Sequence, residues 1–190
     1  LEVITVKVIN VHERKVNASA VEVGTLIDSL ASDDDMLWPA YAWPRMEFDR
    51  PLAVGATGGH GPIRYVVEAY HPGQSVRFRF LGPRGFDGFH GYEVLPTHDN
   101  HIVLRHTLEM QTHGLAVITW PVAFRPMHDA LIEDSLAHAE AALGLLPTVC
   151  PWSTWVKLLR WIIGGRKARK QITPTQRVQP TQTARDVSCG

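Results

Sequence analysis

Cysteine is almost missing from this chain. There are two in 190 residues, Cys150 and Cys189, and both fall late. Two are too few for a disulfide scaffold, and a reduced, cytoplasmic protein is the simplest expectation. Long apolar runs are missing as well. No stretch of 18 uncharged apolar residues occurs, so no helix is expected to span a bilayer. The N-terminus lacks the charged start and apolar run of a secretory signal. The chain opens on Leu1, which leaves room for a missing native start or leader. Neither a Gly-Lys-Ser/Thr phosphate loop nor Gly-x-Ser-x-Gly is present, so nucleotide cradles and esterase nucleophiles find no support. His-x-x-x-His is also absent, and no cofactor and no metal is expected.

Net charge is missing too, but only as a sum. Residues 1–148 carry 11 Lys/Arg against 18 Asp/Glu, a net −7. Residues 149–190 carry 8 Lys/Arg and only Asp186, a net +7. All ten histidines lie between His12 and His138. An acidic, His-rich body therefore carries a basic tail. Such asymmetry favours tail contact with an anionic surface. The expected organisation is a body over 1–148, a Trp-rich basic helix over 149–170 and a disordered tail over 171–190.

Within the body, Leu1 to Val16 alternates as a strand, with Ile4, Val6 and Val8 against Thr5 and Lys7. Ser19 or Asn17 can cap a helix carrying Val23, Leu26, Ile27 and Leu30. Asp33, Asp34 and Asp35 suit the start of a short helix, with a metal site as the weaker alternative. Met46–Phe48 and Leu52–Val54 read as short edge strands, and Gly55 to Gly61 as flexible.

The hairpin Ile63–Tyr70 and Ser75–Phe80 turns at Pro72-Gly73. Pairing Ala69 with Val76 sets Val67 opposite Phe78 and Tyr65 opposite Phe80, with Glu68 facing Arg77 on the other side. A second hairpin joins Phe89–Leu95 to His101–Thr112. On its return strand Ile102, Leu104, His106, Leu108 and Met110 share one face. Pairing Leu95 with Ile102 would bring Glu93 beside His106 on the inner face, and a slip of one residue would reverse this. The glycines at 82, 85, 88 and 91 fit a mobile loop at the mouth of a cavity, with a plain long hairpin connection as the alternative. From Gly114 the pattern is helical. Pro121 and Pro126 place its regular part at about Arg125–Leu143, stopped by Gly144. His128, Asp129, Glu133, Asp134 and His138 on this helix read as surface electrostatics, with metal binding by imidazoles and carboxylates one turn apart as the weaker alternative and Arg125–Asp129 an ordinary ion pair.

Strand, helix, antiparallel strands and a long final helix make an α+β layout. The body resembles the START/polyketide-cyclase superfamily, SRPBCC, over about residues 3–143. The resemblance rests on His12-Glu13-Arg14, Asn17–Val21, the hairpin Ile63–Phe80, Gly88–Pro96, Arg105-His106 and Pro126–Glu133. It implies a helix-grip fold: a curved sheet around the last helix, enclosing an apolar cavity for a lipid, polyketide or other hydrophobic small molecule. Tyr65, Val67, Phe78, Phe80, Phe89, Leu104, His106, Leu108 and Met110 are the expected lining. Core packing is the competing account of the same residues. Glu93 and His106 are the candidate acid–base pair of a cyclase/dehydratase-type enzyme.

The tail holds three of the six tryptophans within ten residues. Trp152, Trp155, Leu159 and Ile162, followed by Arg166, Lys167, Arg169 and Lys170, suit a helix lying at an anionic membrane surface. Packing on the body or a homodimer interface is the alternative. Nucleic acid is disfavoured by the acidic body.

Overall fold

The computed structural model describes residues 4–97 and 101–164. Cys189, Arg166, Lys167, Arg169, Lys170 and the segment 171–190 lie outside the described residues. Seven antiparallel strands form one sheet in the order β1-β7-β6-β5-β4-β3-β2. They are β1 (Thr5–Val16), β2 (Glu47–Phe48), β3 (Thr57–His60), β4 (Ile63–His71), β5 (Ser75–Gly82), β6 (Phe86–Pro96) and β7 (Ile102–His113). Helix α1 (Ala20–Asp28) follows β1, and α2 (Ala116–Thr119), α3 (Arg125–Ala142) and α4 (Thr154–Gly164) follow β7. This is the expected helix-grip α+β layout, with α3 held against the inner face of the sheet.

Ser19 caps α1 by accepting from the Glu22 N–H at 3.2 Å, and the Glu22 carboxylate accepts from the Ser19 N–H at 2.8 Å. This capping box satisfies two of the helix's orphan donors. Gly24 lets α1 lie directly on the β4–β5 turn. A Cβ there would come within 2.2 Å of the Gly73 carbonyl oxygen. The regular helix α3 starts at Arg125, where the prolines placed it, and the helical pattern from Gly114 begins with the short α2 at Ala116. A π-helical turn, Trp120–Phe124, absorbs Pro121 between α2 and α3. Its wider hydrogen-bond spacing accommodates the missing N–H without a break.

Several expectations need correction. Asp33 to Asp35 do not begin a helix. They sit in turns, where Asp35 accepts from the backbone N–H groups of Ala31, Leu37 and Trp38 at 2.8, 3.0 and 2.7 Å. Leu52–Val54 is not a strand, and the Gly-rich stretch supplies β3 instead. Gly88 and Gly91 lie inside β6, not in a mobile loop. A Cβ on Gly88 would meet the Glu109 carbonyl oxygen at 2.2 Å, so close strand packing accounts for that glycine.

The first hairpin has the expected pairs Tyr65–Phe80 and Val67–Phe78. Beyond Val67 the register shifts, so Ala69 meets Arg77 and Tyr70 meets Val76. Glu68 is the extra residue, and its carboxylate still pairs with Arg77 at 2.7 Å and with Arg79. The second hairpin is one residue out of the expected register: Glu93 meets Arg105, and Tyr92 meets His106.

The basic helix is not a free tail. Val156 and Leu159 of α4 are buried against the body. The Trp152 indole N–H donates to Asp134 Oδ2 at 2.8 Å, and Trp43 donates to the same oxygen at 2.7 Å. The Arg160 guanidinium lies 4.1 Å from the ring centroids of both Trp43 and Trp152. Trp152 and Leu159 are therefore core contacts, whereas Trp155 and Ile162 face outward. Cys150 is not a free thiol, so the two cysteines no longer argue for a reducing compartment. No helix among the described residues is long and apolar enough to cross a membrane.

Candidate functional site

Even-numbered residues of β6 and β7 face inward. Period-two alternation sets His90 and Tyr92 beside His106 on the face covered by α3. His12 arrives from the inner face of β1, His60 from β3 and His128 from the first turns of α3. Together they make a row of imidazoles across the sheet. His60 shares a 3.1 Å hydrogen bond with the Tyr65 hydroxyl, and the Tyr65 ring lies 4.9 Å from His90. His90 Nδ1 and His106 Nε2 are 3.3 Å apart. The His106 ring is 5.1 Å from His128, which is 6.0 Å from His12. The Tyr92 ring packs 4.8 Å from His106, and its hydroxyl donates to Ser135 Oγ at 2.8 Å. Ser135 in turn donates to the Leu37 carbonyl at 2.9 Å.

The two ends of the row differ in charge. Burial holds His90 and His106 well below the ordinary imidazole range, and neighbouring imidazoles push the same way. His60 is lowered to about 3 by burial, with the charges of His128 and Arg64 adding. These rings are neutral at pH 7. Burial alone would lower His12 too, but hydrogen bonds to Asp129 and Glu133 outweigh it and raise His12 to about 9. Burial raises the Tyr65 and Tyr92 hydroxyls, so both stay protonated donors.

Among the described residues, three buried ring nitrogens have no hydrogen-bond partner: His90 Nε2, His106 Nδ1 and His128 Nε2. Buried polar atoms are nearly always paired, and unpaired ones mark a place where a ligand group or water is held. Apolar side chains flank the row on both sides. Tyr65, Phe78, Tyr92 and Leu104 belong to the main core, and Phe86, Leu108, Met110 and Trp120 form a second cluster.

The structure separates the expected acid–base pair. Glu93 is on the outer face, bound to Arg105 at 3.5 Å, while His106 is 1% exposed on the inner face. The one-residue register difference is the cause. Phe89 is likewise on the outer face, where the Arg77 guanidinium lies 5.1 Å from its ring centroid. Tyr65, Val67, Phe78, Leu104, Leu108 and Met110 do face inward and are fully buried as core, with Phe80 half-buried and stacked 5.0 Å from His90. A hollow of about 310 Å³ lies at the β3 end of the row, beside His60 and Arg64, and one of about 320 Å³ lies on the outer face around Phe89. Sequence reasoning missed His90 and Tyr92 and gave His12 and His128 no place beside His106. The signal for the histidines was the confinement of every one of them to the body.

The α3 residues expected on the surface are corrected as well. Asp134 is buried under two indoles. Asp129 and Glu133 face β1, where Asp129 Oδ1 lies 3.3 Å from His12 Nε2 and Glu133 Oε1 accepts from His12 Nδ1 at 2.7 Å. Only Arg125–Asp129, at 3.7 Å, follows the expected helix spacing.

A sheet gripping one long helix, with polar groups on its inner face, defines the helix-grip class. The chain has this fold, shared with START/polyketide-cyclase-type (SRPBCC) proteins. Norcoclaurine synthase from Thalictrum flavum superposes with a TM-score of 0.55 at 19% identity, covering 75% of this chain and 98% of that one. A protein from Thermobifida fusca gives 0.54 at 15% identity, over 75% and 99%. The di-domain ARO/CYC StfQ from the steffimycin biosynthetic pathway gives 0.53 at 14% identity, over 71% of this chain and 50% of that one. No family model matches the sequence, and no curated protein is similar to it.

Proposed function

We propose that this protein binds an uncharged, largely apolar organic molecule bearing hydroxyl or carbonyl groups, between the sheet and α3. The unpaired nitrogens of His90 and His106 carry this reading. They offer hydrogen bonds inside an apolar setting, which is how small-molecule sites fix orientation. The ligand takes space beside the second apolar cluster, between the sheet and the α2–π-turn segment that carries Trp120. In the alternative, a cyclase- or dehydratase-type reaction, these two neutral and weakly basic imidazoles would orient a substrate hydroxyl or carbonyl by hydrogen bonds, and Glu93 on the outer face would take no part. The shared fold with a synthase and an aromatase/cyclase agrees with either role.

The test uses 2-naphthol, an apolar ring with one hydroxyl. Wild type is expected to bind it, with changes in the His90 and His106 ring ¹⁵N signals. His90→Leu and His106→Leu are each expected to weaken binding about tenfold, the loss of one net hydrogen bond in a buried site. Glu93→Gln is expected to leave it unchanged. Binding without any shift in those two ring signals would remove the proposed site.

A second reading rests on the exposed apolar face of α4. Trp161 and Ile162 are 76% and 59% exposed, and Leu158 and Ile163 are exposed beside them. Trp155 donates its indole N–H to the Val122 carbonyl at 2.7 Å, joining this face to exposed Ile118 and Val122. Four basic residues follow between Arg166 and Lys170. An apolar helix face with adjacent cations suits an anionic membrane surface. Sedimentation with phosphatidylserine vesicles is expected to capture the full chain, and Trp161→Glu/Ile162→Glu to abolish capture. Equal capture of both proteins, or a dimer with no vesicle binding, excludes this reading.

A further inference from the structure

The His12 end of the row has a different chemistry from its neutral middle. His12 Nε2, His128 and Asp129 bring their ligand atoms within 4.8 Å of one another. Asp129 Oδ1 is the hub: it lies 3.3 Å from His12 Nε2 and 3.4 Å from His128 Nδ1. A charge-assisted hydrogen bond is shorter, about 2.7–2.9 Å. Two ligand atoms bound tetrahedrally at about 2.0–2.1 Å sit about 3.3–3.4 Å apart. The two separations from Asp129 Oδ1 match the edges of a metal polyhedron better than they match ion pairs, and the two imidazole nitrogens lie within 4.8 Å of each other.

The surroundings are those of a metal site as well. His12 uses its other nitrogen, Nδ1, to donate to Glu133 Oε1 at 2.7 Å. Arg14 holds the second oxygen of Glu133 at 2.8 Å. A carboxylate behind a ligating imidazole fixes its tautomer and raises its basicity. Asn10 donates to Asp129 Oδ1 at 2.9 Å and so orients the carboxylate. His128 Nε2 is buried without a partner, which leaves its Nδ1 as the nitrogen directed at Asp129. The ligands come from β1 and from one turn of α3, so packing of helix on sheet preorganises them.

We infer that His12, His128 and Asp129 bind a divalent transition-metal ion, with zinc the best fit to two imidazoles and one carboxylate. Three protein ligands leave a fourth position for water or a ligand oxygen. Binding displaces the proton that His12 shares with the two carboxylates. Neither His90 nor His106 is a ligand, so this site is separate from the small-molecule reading and can fail without it.

The experiment is a titration of untagged, chelator-treated full chain with Co²⁺, followed by Zn²⁺ displacement. Wild type is expected to develop the visible absorption of a low-coordinate cobalt, and to lose it on adding Zn²⁺. His12→Ala, His128→Ala and Asp129→Asn are each expected to weaken binding at least about 100-fold, and Glu133→Gln about tenfold, as for an outer-shell partner. Cys150→Ser/Cys189→Ser and His138→Ala are expected to bind as wild type. Should a ligand variant fail to fold, the rise of the wild-type melting temperature with Zn²⁺ still reports binding to the native state. No cobalt spectrum and no zinc-dependent rise would overturn the site, as would unchanged affinity in folded Asp129→Asn and His128→Ala.

Discussion

Acidification from about pH 7.5 to about pH 5 is expected to strip this protein of a large part of its stability. The cause is the neutral histidine row. His60 is lowered to about 3, and burial holds His90 well below the ordinary value of 6.5. Such a group takes up its proton only in the unfolded chain. Its contribution is complete above the unfolded value near 6.5 and is lost as pH falls below it. The slope is about 1.4 kcal/mol per group per pH unit. At about pH 5 His60 alone has lost about 2 kcal/mol, and His90 and His106 are shifted in the same direction and add to the loss. Total stability of a domain this size is about 5–15 kcal/mol, so the change is decisive.

One group partly offsets it. His12 is raised to about 9, so its contribution grows by about 1.4 kcal/mol as pH falls from 7.5 through 6.5 and is complete below that. Glu133 is lowered by its bonds to His12 and Arg14, and its contribution begins to fade only below the ordinary carboxylate value of 4.5. Thermal melts at the two pH values check this. Equal melting temperatures would show that the row is protonated, or hydrated, in the folded state. His90→Phe is expected to flatten the pH dependence by one group's slope.

Asp134→Ala is expected to lower stability by about 3–4 kcal/mol, from denaturant unfolding. One buried carboxylate oxygen accepts both the Trp43 and Trp152 indole N–H groups. Removing it leaves two donors unpaired in the interior, at about 1–3 kcal/mol each. The same change loosens the clamp in which Arg160 stacks on both indoles. Asp134→Asn keeps an acceptor and is expected to cost about 1 kcal/mol. A loss below about 1 kcal/mol in Asp134→Ala would mean that α4 is held mainly by Val156 and Leu159. Truncation before α4 would expose this same interface, so the segment cannot be treated as an appendage.

Much of the fold was legible in the sequence because strand and helix periods depend on one segment at a time. Ile102, Leu104, Leu108 and Met110 mark an inner face on β7 whatever strand lies beside it. The first hairpin was readable down to Tyr65–Phe80 because apolar pairs on one face and Glu68 with Arg77 on the other had to agree. Only the bulge at Glu68 escaped, since an extra residue changes neither pattern. β6 gave no such check. Phe86, His90, Tyr92 and Val94 on one face are no more apolar as a set than Phe89, Gly91, Glu93 and Leu95 on the other. The register then hung on the closing turn, where Thr97 N–H bonds to the His101 carbonyl at 2.9 Å. One residue there moved Glu93 out and Tyr92 in.

The sequence by itself determined the α+β class, the last helix and its stop at Gly144, and the contrast between an acidic, His-rich body and a basic end. Each follows from local periodicity, chain stereochemistry or composition. Tertiary structure alone decided which polar groups meet. His12, His60, His90, His106 and His128 come from five different elements, and only the stacking of α3 on the sheet makes them a row. Tertiary structure also decided that the basic helix docks by one face and leaves the other exposed. Proximity across elements is set by register and packing, and neither is written into any single stretch of chain.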